Sequence, residues 1–514
     1  MSQVAITADV LVIGGGINGT GIARDAAGRG LRVLLCEKDD LASHTSSAST
    51  KLIHGGLRYL EYYEFSLVRK ALQEREILMR SAPHLIQPLR FVMPQTPGQR
   101  PAWLIRCGLF LYDHLAHRRL LPGSETLSLP EHVAGPALRP EFRRGFAYSD
   151  GWVDDARLVV LTAMDAAEKG ATILTRTTCV SAERHKDHWL VQLQTGQGDM
   201  IQVKARSIVN AAGPWVSDVL QRVIHQQAHQ QLRLIKGSHI VVPRLFSHPY
   251  AYIFQHHDGR VVFAIPYEQH FTLIGTTDSD YQGDPGEVAI DADEIRYLCE
   301  LSREYFAQPV SPADVVHTYS GVRPLVSKDD AQHHASAAAL TRDYRLVLDQ
   351  DAAVCLSVYG GKITTYRRLA EEALALLGPL LGNTTGNWTA NACLPGGDID
   401  GAHPQDRSVL EFTSFQVACQ QQYPWLLPSL LERYTRAYGT RIHQLLAHCY
   451  SMKDMGELLL PGLYEREASY LVRFEWAQTV EDILWRRTHL GLHLSGATSD
   501  ALRTWLENHE KPRH

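Results

Sequence analysis

The stretch ADVLVIGGGINGTGIARDAAGRGLRVLLCEKDD, from Ala8 to Asp40, constrains this chain more than any other. Asp9 to Ile13 reads as a short buried strand, and Gly14, Gly16 and Gly19 form a G-x-G-x-x-G turn. Ala23 lies on the face of the helix that follows, and Leu31 to Cys36 reads as a second strand that delivers Glu37. Gly14 lets the backbone leave the strand sharply, Gly16 lets it approach a pyrophosphate with no side chain between, and Gly19 lets the helix lie against the strand. The helix N-terminus turns unpaired N–H groups and the positive end of its dipole toward phosphate. Glu37, about twenty residues beyond the glycines, is placed to accept hydrogen bonds from a ribose 2′-hydroxyl and to repel a 2′-phosphate. NAD and FAD both carry the adenosine diphosphate that such a unit binds, so this stretch leaves the choice between them open.

With 514 residues the chain exceeds one core and is expected to divide into two or three domains. A net charge of −5 gives no global attraction to nucleic acid or anionic lipid, so any basic function must be local. The cysteines, at 36, 107, 179, 299, 355, 393, 419 and 449, contain no C-x-x-C pair. With no signal-peptide pattern, that spacing argues against a zinc site and against a disulfide framework, and for apolar packing in a reducing compartment; no metal site is expected. No uninterrupted apolar run is long enough to span a bilayer.

After Glu37 the chain does not continue as simple alternating strands and helices. A Ser/Thr-rich loop, DDLASHTSSASTK, leads into HGGLRYL and a helix with Phe65, Val68 and Leu72 on one face, as if still following a large cofactor. From 145 it returns to the first unit, with a strand ending at Val180, a hairpin around Thr195 to Asp199, and a strand from Ser207 to Asn210 running into small residues at 211–213. SHIVVP, RVVFAIPY and FTLIGTTD alternate as antiparallel strands do. In SVYGGKITTYRRLAEEALALLGPLL, Gly360, Gly361 and Lys362 precede Thr364 and Thr365 at an N-cap, with Leu369, Ala373 and Leu376 on the helix face. The sequence therefore predicts an α/β fold: a Rossmann-like FAD-binding domain from 1–80, 145–229 and 344–390, a helical or loop insertion at 81–144, an inserted mainly antiparallel β substrate domain at 230–343, and a helical C-terminal domain at 391–514.

Two glycine-bordered helix N-termini suit a cofactor with two electron-rich ends. FAD fits, with its pyrophosphate on the first and the N1/O2 edge of the flavin on the second, where a positive helix end stabilises the reduced ring. NAD would leave the Gly360 helix without a partner. The candidate cofactor contacts are Gly14, Gly16, Ile17, Asn18 and Gly19 in the first turn, and Glu37. They continue with Thr45, Ser46, Ser47, Ser49, Lys51 and Leu52 in the hydroxyl-rich loop, then His54, Gly55 and Gly56. Val180, Ala212, Gly213 and Trp215 follow, and Gly361, Lys362, Ile363, Thr364 and Thr365 complete the set.

VIGGGINGTGIARDAAGRGL, TSSASTKLIHGGLRYLE, YSDGWVDDARLV, NAAGPWVSDV, LIKGSHIVVP, IGTTDSDYQGDP, TYSGVRPL, GGKITTYRRLAE and EDILWRRTHLGL occur in that order over nearly the whole chain. Through them the chain resembles the aerobic, FAD-dependent glycerol-3-phosphate dehydrogenase family. One local departure is the alanine-rich SKDDAQHHASAAALTR between Leu325 and Tyr344. The resemblance implies oxidation of sn-glycerol 3-phosphate to dihydroxyacetone phosphate, with electrons passed to a membrane quinone at the cytoplasmic face of the inner membrane. It matches Arg58, Arg323 and Lys362 to phosphate and substrate binding, with Tyr59 as a neighbouring donor; arginine suits phosphate because it forms a fork of hydrogen bonds. Oxidation of an alcohol also needs a base, for which histidine has the right ordinary pKa. His239 in KGSHIVV is favoured for the proton and His54 for the flavin. An oxidase that uses oxygen, and a flavoprotein sensor that binds without turnover, are the competing functions.

Arg100 to Arg119, RPAWLIRCGLFLYDHLAHRR, flanks an apolar stretch with arginines and suits a helix lying in a bilayer interface. It equally suits a buried core helix or the face of a homodimer, and the resemblance favours the membrane.

Overall fold

The computed structural model describes residues 6–95, 100–227, 230, 232–255, 260–326, 343–494 and 499–508. The alanine-rich departure at 327–342 lies outside them.

One sheet grows from the opening strand, Ile6–Ile13, which pairs in parallel with Val33–Cys36 on one side and Met200–Asn210 on the other. Thr172–Leu174 and Val354–Tyr359 continue the parallel order outward. These strands read as unbroken apolar runs, VLVI and VLLC among them, because both faces are covered. The helices Ile17–Gly28, Asp155–Glu168 and Tyr366–Leu380 pack together on one face. In the last of these Leu369 and Ala373 are buried as expected, but Leu376 is exposed and Leu374 and Leu377 take the inner positions. Arg345–Asp349 closes one edge, and the hairpin Thr177–Arg184 and Trp189–Thr195 extends Met200–Asn210.

Leu232–Pro243 organises the second sheet, paired antiparallel with His317–Val326 on one side and with Phe271–Gly275 on the other. Val261–Tyr267 and Ala251–Gln255 follow antiparallel. The sheet does not stop at the range 230–343. It continues through Ile86–Pro94 and Arg144–Val153, and takes in Leu52–Ile53 and Glu125–Ser128. The segment 81–144 therefore supplies strands as well as the helix Ala102–His114. Pro88, Arg90 and Pro94 interrupt the alternation of IQPLRFVMP and disguise it as loop, since its partner strand is distant in sequence.

The C-terminal helices, from Asp406–Leu410 to Asp500–Asn508, surround their own core of Tyr434, Ile442, Leu471 and Ile483. The late motif EDILWRRTHLGL fastens this core to the first domain: Arg487 forks onto Asp40 at 2.9 Å with both nitrogens, and Arg176 reaches Asp482 at 2.7 Å. Arg157 pairs with Glu475 with neither side chain exposed. Removing one member of such a pair would leave a buried charge uncompensated, so the pairs fix how the domains dock. All eight cysteines are free; Cys107 is exposed, against the packing expectation. Among the described residues no helix is long and apolar enough to cross a membrane.

Candidate functional site

Three parallel strands end at one edge of the first sheet, each in glycine or small residues: Gly14–Gly16, Ala211–Gly213 and Gly360–Gly361. Gly14 has φ +113°, and a Cβ there would lie 2.6 Å from the Ala211 carbonyl oxygen. At Gly19 a Cβ would lie 1.9 Å from the Gly14 carbonyl oxygen, so this glycine serves the packing of helix on strand rather than a ligand. Asn18 Nδ2 donates to the Gly360 carbonyl at 3.1 Å, across 342 residues of sequence, and so holds the two glycine turns side by side.

Two cavities open along this edge, of about 290 and 270 Å³. They share Gly16, Thr45, Ser46, Ala211, Gly213 and Pro214 as a common wall. Each alone falls just short of the ~300 Å³ at which ligand pockets usually begin. Side by side along that wall, with Gly16 at the first helix N-terminus between them, they make a trench of two chambers suited to a long ligand with two different ends.

The first chamber contains Glu37, which is buried and accepts the N–H of Gly15 at 2.6 Å and of Asp39 at 2.9 Å. Burial pushes its carboxyl above the usual range, and the two N–H groups oppose that rise. Each oxygen keeps a lone pair, which suits ribose hydroxyls. Trp215 and His44 line the same chamber and meet edge to face at 4.7 Å. Val180 does not turn its side chain into it. The ladder slips between Cys179 and Ser181, leaving Val180 outside the register with an exposed side chain, while Thr177, Thr178 and Cys179 form the wall.

The second chamber gathers Ile17, Asn18, Ser49, Leu52, His54 and Tyr59 from the first domain. Gly361 to Thr364 enter from the second glycine turn, and His239 and Arg323 from the antiparallel sheet. Lys362 Nζ lies 3.8 Å from the centre of the Tyr59 ring. The His54 N–H donates to Thr364 Oγ1 at 3.3 Å. Arg323 donates to the Thr277 carbonyl at 3.1 Å and pairs with Asp278; Gly237 makes room for it, since a Cβ there would meet the guanidinium at 2.5 Å. His239 is buried, stacked on Tyr319 with ring centres 4.8 Å apart, and pressed on its edge by Gly275. Burial, with the nearby charges of Arg323 and Lys51, lowers its pKa to about 3.

Several of the expected contacts are engaged within the protein itself. Arg58 lies on the turn Leu57–Tyr62, with its guanidinium 3.5 Å from the Tyr62 hydroxyl, and does not line the chamber. Ser47 donates to the His44 carbonyl. Lys51 is buried against Asp155 at 2.6 Å. Gly55 donates to the Tyr112 hydroxyl, Gly56 at φ +77° makes room for Tyr59, and Thr365 begins the helix Tyr366–Leu380. Thr50, Thr276 and Tyr319 stand inside the runs TSSASTKLIHGGLRYLE, IGTTDSDYQGDP and TYSGVRPL, but nothing local in those runs marks them for the site; strand pairing sets Tyr319 opposite His239, and Thr50 reaches His239 from its loop.

A buried acid at the end of the second strand, two helix N-termini on one trench and a chamber combining cations with a neutral histidine define a flavin-dependent oxidoreductase. Residues 9–367 match the FAD dependent oxidoreductase family, and 388–509 match the C-terminal domain of alpha-glycerophosphate oxidase. The chain belongs to the FAD-dependent glycerol-3-phosphate dehydrogenase family. It is 52% identical to the glycerol-3-phosphate dehydrogenase of Pseudomonas aeruginosa, covering 98% of this chain and 96% of that one. It is 50% identical to the D-erythritol 1-phosphate dehydrogenase of Brucella abortus, covering 98% of each. The crystal structure of the Bacillus halodurans glycerol-3-phosphate dehydrogenase complexed with FAD superposes with a TM-score of 0.79 at 27% identity, covering 98% of this chain and 91% of that one.

Glu37 supplies a direct test of how the trench holds FAD. Glu37→Arg is expected to weaken FAD retention at least tenfold, read as the flavin-to-protein absorbance ratio after dilution and gel filtration. Glu37→Gln, which keeps an acceptor for one of the Gly15 and Asp39 N–H groups and loses the charge without adding a cation, separates the effect of lost acceptors from that of the introduced guanidinium. Full retention in a folded Glu37→Arg protein would remove Glu37 from the cofactor site.

Proposed function

We propose that this chain oxidises sn-glycerol 3-phosphate at C2 to dihydroxyacetone phosphate and passes the electrons to quinone at a membrane surface. The observation that carries the first half is the meeting of His239, Arg323, Tyr59 and Lys362 in one chamber with the second glycine turn. FAD, when bound, supplies the hydride acceptor. Arg323 holds the phosphate dianion, with its guanidinium aimed by Asp278 and the Thr277 carbonyl. Lys362 adds a second positive charge, and Tyr59 carries it on its ring face and presents a hydroxyl. His239, neutral at physiological pH, takes the hydroxyl proton. The Brucella relative supports a second reading, a four-carbon polyol phosphate as substrate.

Anaerobic bleaching of the flavin decides between them. Glycerol 3-phosphate is expected to bleach it and glycerol and lactate are not. Faster bleaching by D-erythritol 1-phosphate would reassign the substrate, and no bleaching by any polyol phosphate would leave a binding protein. Stoichiometric peroxide in air, with no quinone reduction, would make it an oxidase.

The membrane half rests on the helix Ala102–His114. Trp103, Leu104, Cys107, Phe110 and Leu111 form its exposed stripe, with Trp103 67% and Phe110 61% exposed. Tyr62, Tyr63 and Phe65 are exposed on and just beyond the turn Leu57–Tyr62, which packs against this helix. Leu109 and Tyr112 point inward, Leu109 at 1% exposure, so a serine at 109 would damage the core and say nothing of lipid. Withdrawing a large apolar side chain from water is worth about 1.5–3 kcal/mol. Trp103→Ser with Phe110→Ser is therefore expected to weaken binding to anionic vesicles at least tenfold and lower quinone reduction, while reduction of a soluble dye persists. Undiminished vesicle binding would clear this face. A parent dimer that dissociates in the double variant, with no vesicle binding by the parent, would give the face to a second copy of the chain.

A further inference from the structure

His239 reaches the chamber in an unexpected way. Its Nδ1 is sealed from solvent and has no hydrogen-bond partner among the described residues. Its Nε2 lies 3.0 Å from Thr50 Oγ1, and Thr50 lines the chamber. Nδ1 is thus withdrawn by burial, and Nε2 has a hydroxyl partner that itself lines the chamber.

The loop that carries Thr50 is held from several sides. Ser49 donates to Asp155 Oδ2 from its hydroxyl at 2.7 Å and from its N–H at 3.2 Å. Lys51, in the left-handed region at φ +58°, donates its N–H to Ser49 Oγ at 2.9 Å and its ammonium to Asp155 Oδ1. Tyr319, whose ring stacks on His239, donates its hydroxyl to the Ser49 carbonyl at 2.9 Å. The Lys51 ammonium lies 5.3 Å from the centre of the same Tyr319 ring. Ser49 and Lys51, on either side of Thr50, are therefore anchored to a buried carboxylate and to the ring beneath the imidazole. A threonine hydroxyl fixed in this way is unusually well placed to transmit a proton, because it can donate one hydrogen bond and accept another.

We propose that Thr50 relays the substrate proton to His239. The substrate O–H bond breaks and its proton passes to Thr50 Oγ1, while the Thr50 hydroxyl proton passes to His239 Nε2. The C2–H leaves with its electron pair to FAD and the C2=O double bond forms, so atoms and charge balance. The relay requires the neutral imidazole to carry its hydrogen on Nδ1, with Nε2 accepting from Thr50. It rests on the reading of His239 as the base.

The test uses the FAD-loaded enzyme and Thr50→Val, which keeps the branched shape and removes the hydroxyl. Anaerobic flavin reduction is expected to slow at least 100-fold in Thr50→Val and to recover to within tenfold of wild type in Thr50→Ser. The double variant Thr50→Val with His239→Asn should be no slower than His239→Asn alone, because both changes cut one path. Independent losses that multiply would overturn the relay, as would Thr50→Val running at the wild-type rate. In ¹⁵N-histidine-labelled protein, the His239 signal, identified by its loss in His239→Asn, should show an unprotonated Nε2 that shifts in Thr50→Val. A proton found on Nε2 would overturn the proposal without any activity measurement. If His239→Asn has no effect, the base assignment fails; if His239→Asn is slow and Thr50→Val fast, only the relay fails.

Discussion

His239→Asn is expected to slow anaerobic flavin reduction about 100- to 10,000-fold, the usual worth of a positioned general base, while reoxidation by a quinone analogue proceeds at the normal rate. Asparagine retains a polar head for Thr50 but cannot take a proton. The pH dependence follows from the lowered pKa. Burial disfavours the imidazolium and the positive Arg323 and Lys51 oppose it further, so His239 stays neutral down to a pH near its pKa of about 3. Protonation of His239 in the free enzyme therefore produces no acid limb in kcat/KM between pH 5 and 8. Any limb in that window belongs to another group, the substrate phosphate being the first candidate, and should persist in the Asn variant. A base of pKa about 3 working at pH 7 would have to be protonated at a cost of about 5 kcal/mol, too much for efficient transfer. Substrate must lower that cost, and under the proposed reading its phosphate would do so by neutralising Arg323. The limiting rate at saturating substrate should accordingly titrate at a higher pH than 3. If reduction stays fast in His239→Asn and slows instead in His54→Asn, the two histidines exchange roles.

What the sequence made legible has a physical pattern. Gly14, Gly16, Gly19 and Glu37 were readable because a short strand, turn and helix act over one continuous stretch, and the structure places Glu37 at the strand end with its two backbone donors. The Gly360 turn was readable for the same reason, but its position beside the first turn was not. That rests on Asn18 and on the order of the parallel strands, which local pattern does not encode. Ile86–Pro94 was misread because its prolines and arginine break alternation, and only pairing with a distant strand makes it part of the sheet. The helix 102–114 was readable as amphipathic, but its phase was not: Leu109 and Phe110 are adjacent in sequence, about 100° apart around the helix, and one is buried while the other is exposed.

The same distinction separates the residues around the proton from those around the cofactor. Lys51 and Arg58 stand in motifs rich in glycine and hydroxyls, yet in the structure one is spent on Asp155 and the other lies outside the chamber. Thr50 stands in the same run and faces the chamber. Ala48, Ser49 and Thr50 all line the chamber, whereas the positive φ of Lys51 and its ammonium's bond to Asp155 turn that side chain away.

Arg323→Ala is expected to lower kcat/KM for glycerol 3-phosphate by roughly 30-fold or more, since leaving a charge partner unmatched in a closed site costs about 2–5 kcal/mol. Two effects act in the same direction on binding. The fork to phosphate oxygens is lost, and Asp278, which Arg323 neutralises in the wild type, is left to repel the dianion. Arg323→Ala with Asp278→Asn should therefore recover part of the lost kcat/KM, and Arg323→Lys, a point charge without a fork, should fall between wild type and Ala. The effect on the proton step has the opposite sign. Removing the guanidinium removes one of the charges that depress His239, so the free enzyme's imidazole should titrate above its wild-type value of about 3. The loss should then be concentrated in KM, with the limiting rate of flavin reduction falling less than kcat/KM. The spectrum of bound FAD should be unchanged, because Arg323 belongs to the antiparallel sheet and not to the glycine turns. An unaltered kcat/KM in a folded Arg323→Ala enzyme would place the phosphate elsewhere, with Lys362 the next cation to replace.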